Sequence, residues 1–209
     1  MVKNPRTARV LSKTNSESVI RLSIADRAFL QDLSKTLIID EKAADQWHYA
    51  DRKSGARRRL DKLADAGILE RLDIGAPKGM KKTTAWQFAN KEVARAWGGK
   101  LPGVGTNRGY YHELLAGRSY FEMGRPQEFR IASSFTADDK LLFGGTAPDA
   151  IARGSNGELI FIEADSGHYT KRQIKQKQQA WQSYRQFWIQ PRTAMARVPV
   201  GEGVSAVRI

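Results

Sequence analysis

The chain contains no cysteine among its 209 residues. Disulfides, thiolate nucleophiles and cysteine-ligated zinc are thereby excluded. Histidine is nearly as scarce: His48, His112 and His168 stand far apart with no HxH or HExxH spacing, so a metal site built on histidine is not expected. No apolar run approaches the ~20 residues of a membrane-spanning helix, and the first residues lack the apolar core of a signal peptide. The sequence therefore reads as cytoplasmic, with no membrane segment. Acidic side chains are in deficit, 22 against 35 Lys and Arg, which gives a formal net charge of +13 and a pI near 10.1. A chain this basic points to a polyanionic partner, with nucleic acid foremost. Residues 1–100 hold 21 basic and 12 acidic side chains, the remainder 14 and 10, so the first half carries more of the positive charge. With 41% hydrophobic and 27% charged residues, the composition is that of a folded protein with a real core.

Residues 1–21 are polar, basic and aperiodic, the pattern of a flexible tail. Helical spacing begins near Ser23, with Ile24, Ala28, Phe29 and Leu33 on one face. A second helix is expected over residues 40–49 and a third over 54–66, the latter with Ala56, Leu60 and Leu63 inward and a stop at Gly67. Strands are expected at 68–74 and 83–89, joined by the basic tip GAPKGMKK, and a helix at 91–97. The stretch at 98–109 is rich in Gly and Pro and reads as a linker between two domains. It divides residues 22–98 from residues 110–209, and the first part is expected to fold alone. The second half reads as a helix at 110–123 and strands at 128–133, 140–143, 147–153 and 159–164. A long helix at 169–187 and further strands near 194–200 and 204–209 follow, an order of α/β or α+β class with a mixed sheet.

One constellation in the second half carries chemistry. Asp149 follows Pro148 on one strand, and Glu163 and Asp165 end the next apolar strand. Side chains two apart on a strand project to one side, so three carboxylates are expected to converge. They repel one another unless a hard cation lies between them, and oxygen donors favour Mg²⁺ or Mn²⁺. Such an ion polarises a phosphate and lowers the pKa of an attacking water. On the helix that follows, Lys171, Arg172, Lys175 and Lys177 have no acidic neighbour in sequence from Ser166 to Gly201, which suits a face turned toward phosphate.

Two resemblances sharpen these expectations. Three short helices followed by a basic hairpin, with the stretch SGARRRLDKLADAGILER at 54–71, resemble the winged helix-turn-helix family. The resemblance implies that the third helix enters the major groove and the hairpin touches the DNA backbone. It makes Lys53, Ser54, Arg57, Arg58, Arg59 and Lys62, with Lys78, Lys81 and Lys82 of the tip, the DNA-binding candidates. Pro148-Asp149, a 13-residue spacer and Glu163-Ala164-Asp165 resemble the PD-(D/E)xK nuclease superfamily. The chain departs from that pattern in having Asp165 where the superfamily has lysine. The resemblance implies a restriction-endonuclease-like domain, Glu113 as an added acidic ligand, and Lys175 or Lys177 as a lysine supplied from the following helix. Taken together with Tyr111-His112-Glu113 and Phe161-Ile-Glu-Ala-Asp-Ser-Gly167, the order resembles the plasmid replication-relaxation proteins, which include MobC-type mobilisation relaxases. That resemblance implies metal-dependent nicking of duplex DNA at a plasmid transfer origin, in the company of other relaxosome proteins. Two alternatives stand beside it. One is a non-catalytic replication or transcription regulator with a degenerate nuclease fold, favoured by the missing lysine; the other is a dimeric double-strand endonuclease.

Overall fold

A computed structural model describes residues 20–52, 54–75, 82–103, 105–143 and 146–209. It is a mixed α+β protein with two sheets. Among the described residues no helix is long and apolar enough to cross a membrane. The linear order opens with α1 (Ile24–Thr36), β1 (Ile39–Asp40), α2 (Glu41–Trp47) and α3 (Arg57–Asp65). Ser23 and Asp26 form a reciprocal capping box that starts α1, which satisfies two otherwise orphaned backbone donors. Leu37, at φ 65°, closes it. Asp40 caps α2 through the Ala43 N–H at 2.8 Å. Helix α3 ends as the sequence predicts: Gly67 adopts φ 71°, and the Gly67 and Ile68 N–H groups donate to the Ala64 and Leu63 carbonyls, a Schellman closure. Then come β2 (Leu69–Ile74), β3 (Thr83–Phe88) and α4 (Lys91–Ala96). The first sheet is antiparallel in the order β1-β3-β2, with Leu69 opposite Phe88 and Ile74 opposite Thr83.

The second half runs through α5 (Asn107–Glu122), β4 (Phe129–Ile131), α6 (Ala137–Leu142), β5 (Ala150–Arg153), β6 (Leu159–Ala164), α7 (Lys171–Ala180), β7 (Arg185–Gln190) and β8 (Val204–Arg208). Its sheet has the order β4-β5-β6-β7-β8. β4, β5 and β6 pair antiparallel, and β6, β7 and β8 pair parallel, with α7 as the crossover from β6 to β7. Strand β6 is buried on both faces. Ile160 and Ile162 face the core shared with α5, and Phe161 faces a second core with Ile174, Trp181 and Trp188. Glu163 therefore points to the α7 side, the alternate position of the same strand.

Several expectations change. Residues 140–143 belong to α6 and its end rather than to a strand, because Thr136 and Asp139 form a capping box that starts a helical turn. The expected long helix stops at Ala180. The β-favouring run Arg-Gln-Phe-Trp-Ile-Gln becomes β7, buried beside β6. Residues 194–200 form no strand, and Ile24 is 89% exposed instead of inward. The basic tip at 76–81 and the tail at 1–19 lie outside the described residues.

The stretch at 98–109 separates no two cores. One buried cluster joins Phe29, Leu30 and Leu33 of α1 to Leu114 and Leu115 of α5 and on to Ile162 and Ile189 of the second sheet. Helix α5, whose first turn begins inside the expected linker, packs on α1, α2 and β1 as well as on β6 and β7. Gly99 is itself wedged in: a Cβ there would lie 2.9 Å from Ser34 Cα.

Candidate active site

The carboxylates sit where β5, β6 and α5 meet. The Asp149 N–H extends the sheet ladder by donating to the Ile162 carbonyl at 2.9 Å. Its Oδ2 accepts from the Ala164 N–H at 2.8 Å and lies 3.2 Å from His112 Nε2 on α5. Glu163 has a fully buried side chain. Its Oε1 accepts from the Tyr169 hydroxyl at 2.6 Å and from Lys177 Nζ. Its Oε2 is buried with no hydrogen-bond partner. Lys177 reaches in from α7 and lies over the Tyr169 and Trp181 rings. Of the two lysines implied by the superfamily resemblance, Lys177 meets the carboxylate, and Lys175 is exposed on α7.

Asp165 is turned to another use. Its Oδ1 accepts the Gly167, His168 and Tyr169 N–H groups at 2.8, 3.1 and 3.2 Å. Its Oδ2 accepts Gln190 Nε2 at 2.7 Å. Four donors fill the carboxylate, so Asp165 shapes the β6–α7 loop and aims Tyr169 at Glu163. Among the described residues no group of three or more His, Cys, Asp or Glu side chains takes an arrangement that could hold a metal. The donors that remain open suit a smaller first set. Glu163 offers an unpartnered buried oxygen, and Asp149 lies within electrostatic reach of it. Mg²⁺ commonly binds through one or two carboxylates and keeps several waters, a donor number this pair could supply, whereas the oxygens of Asp165 are already engaged.

The electrostatics are those of a site short of positive charge. Burial, reinforced by the Asp149 charge, pushes the Glu163 carboxyl up to about 7 against the pull of Lys177 and Tyr169. Burial also raises Glu113, with His112 opposing and Asp149 assisting; Glu113 thus lies in the same field. Pairing with Asp149 raises His112 in spite of burial, and burial beside Glu163 raises the Tyr169 hydroxyl. The sequence pattern gives neither His112 nor Tyr169 a chemical role. The only signal for Tyr169 is its place in the turn between the Glu163 strand and the Lys177 helix.

The basic candidates of the first half divide. Ser54, Arg58, Lys62 and Lys82 are exposed, and Arg57 is exposed with Glu41 4.0 Å away. Lys53, Lys78 and Lys81 lie outside the described residues. Arg59 is drawn inward instead. Its Nε donates to Asp26 Oδ1 at 2.9 Å, and Nη2 reaches Asp26 Oδ2 and the Arg21 carbonyl. Tyr49 donates to the same Asp26 oxygen at 3.0 Å. Burial works to raise Asp26, but these bonds from Arg59 and Ser23 hold it below its ordinary value. Arg59→Ala is expected to cost about 3–5 kcal/mol by stranding a buried carboxylate. Arg58→Ala is expected to leave stability within about 0.5 kcal/mol. Urea unfolding of the two variants side by side checks this; equal midpoints would return Arg59 to the surface.

Comparison with family models, with characterised proteins and with solved structures finds no match.

Proposed function

We propose that the protein is a metal-dependent DNA endonuclease that nicks one strand, of the relaxase type that acts at a plasmid transfer origin. The observation that carries this reading is the buried Glu163 carboxylate. One of its oxygens is clamped by Lys177 and Tyr169 and the other is left without a partner, beside Asp149 on the neighbouring strand. The topology is compatible with it: α5, β4, α6, β5, β6, α7 and β7 follow one another, with β4, β5 and β6 antiparallel and β7 parallel to β6. Asp149 and Glu163 would hold Mg²⁺ or Mn²⁺, which supplies charge neutralisation at the phosphate and an acidified water. Lys177 fixes the Glu163 carboxylate and places positive charge where the phosphate charge develops. Exposed Arg57, Arg58 and Lys62 on α3, with Ser54 and Lys82, grip the duplex in the manner of a winged helix.

The regulator with a degenerate site is the second reading. It is favoured by the direct Lys177–Glu163 pair, which closes part of the carboxylate without a metal. Incubation of supercoiled plasmid bearing a transfer origin, with and without Mn²⁺, separates the two. Open circles that need both metal and Glu163 are expected. DNA retention with intact supercoils under every metal, and no Mn²⁺ uptake in calorimetry, would favour the regulator.

A further inference from the structure

Helix α5 touches both the carboxylate site and the helices of the first half, at successive levels along one rigid rod. Sixteen residues span about 24 Å at 1.5 Å per residue. Near its start His112 meets Asp149. One turn later the backbone of Gly117 lies so close to the turn after α1 that a Cβ would stand 2.6 Å from the Thr36 carbonyl oxygen and 3.2 Å from that of Ile38. Arg118 Nη1 is 3.0 Å from Asp40 Oδ2, and Asp40 uses its other oxygen to cap α2. At the far end the Tyr120 hydroxyl donates to Asp32 Oδ1 at 2.9 Å, and Arg125 Nη2 lies 2.8 Å from Asp32 Oδ2. Asp40 and Asp32 are 2% and 3% exposed, and the buried Asp32–Tyr120 and Asp40–Arg118 pairs resist sliding, while Arg125 keeps its side chain partly exposed. By contrast, added Cβ atoms at Gly103 and Gly105 would meet nothing. The packed connection through α5 is tight, whereas around Gly103 and Gly105 there is open space.

We propose that α5 holds the Asp149–Glu163 site at a fixed distance from the bases gripped by α3. The position of the site along the DNA is then set by the Gly117, Arg118 and Tyr120 contacts and not by the length of the segment at 99–106. The inference rests on the DNA-binding part of the reading above and names what determines the cut position. A reader and a cutter joined by a flexible tether would instead spread their cuts as the tether lengthens.

The absence of cysteine makes the test clean. His168 is exposed beside the site, and His168→Cys carries a single tethered iron-EDTA group, which cleaves nearby DNA with no help from the protein's own chemistry. The full chain is prepared with and without four Gly/Ser residues inserted after Gly103. Four extended residues add about 13 Å of reach, roughly four base pairs of duplex at 3.4 Å each. The same radical-cleaved nucleotides are expected from both proteins, and Arg118→Ala is expected to broaden the pattern in each. A pattern that widens or shifts by several base pairs with the insertion alone would overturn the proposal. Loss of strand nicking with an unchanged radical pattern would remove the nuclease reading and leave the fixed spacing in place. No retention of duplex DNA by either protein would overturn both.

Discussion

Glu163→Gln is expected to abolish strand cutting and, in the same protein, to raise stability above pH 7. The first effect follows, on the proposed nuclease reading, from losing the carboxylate proposed to hold the metal; a fall of about 10³-fold corresponds to roughly 4 kcal/mol of lost transition-state stabilisation. The second follows from burial. The Glu163 carboxyl titrates near 7 in the folded chain and near 4.5 when unfolded, so between those values the folded state binds the extra proton. Stability therefore falls as pH rises through this window, by about 3 kcal/mol at 1.36 kcal/mol per pKa unit. Below pH 4.5 the effect is absent, and above 7 it is complete. Glutamine mimics the protonated acid and escapes the penalty. Denaturant unfolding with EDTA present is expected to give near-equal midpoints for variant and wild type at pH 5, and a clearly higher midpoint for the variant at pH 8. A variant less stable than wild type at pH 8 would mean that Lys177 and Tyr169 more than offset the burial of the charge.

A fragment ending at Gly105 is expected to show no cooperative thermal transition. Removing α5 strips Phe121 from its ring contacts with Trp47 and His48 and Tyr120 from Asp32. It also uncovers Leu30 and Leu33. Each large apolar group left in water forfeits about 1.5–3 kcal/mol, and a domain has only about 5–15 kcal/mol in total. In the intact chain Phe121→Ala alone is expected to cost about 3–5 kcal/mol. Circular dichroism melting checks both. A sharp transition from the fragment would show that the first half is cored without α5.

Local chemistry was legible where one short segment decides the outcome. The Ser23 cap, the Gly67 stop and the bounds of β6 depend on neighbours within a few residues, and the pattern contains them. Asp149 and Glu163 were legible because an apolar strand ending in a carboxylate is unusual, and Lys177 because the nuclease resemblance directs attention to the next helix. Arg59 misled for a geometric reason: a helical projection gives its angle, but Asp26, 33 positions earlier, decides whether that angle is wet. Asp165 misled in the same way, since strand alternation gives its side and the backbone donors of the following loop give its task. Strand β7 reads as helix until its parallel neighbour is known. The Gly and Pro content at 98–109 marks irregular chain at 98–103, but α5 already begins at Asn107, and composition carries no information on whether the elements beyond it pack back.

The missing side chain at Gly117 has a consequence for any exchange of the first half. Exchange of the first half for an unrelated module would bring in a turn unshaped for a bare backbone, and α5 would be lifted off its seat. An exchange of the first half would therefore have to carry the turn at 36–38 with it. Substitution at exposed positions such as Arg58 and Lys62 leaves that turn untouched. The same constraint guides a designer: graft side chains onto α3, and keep residues 36–40 as they are.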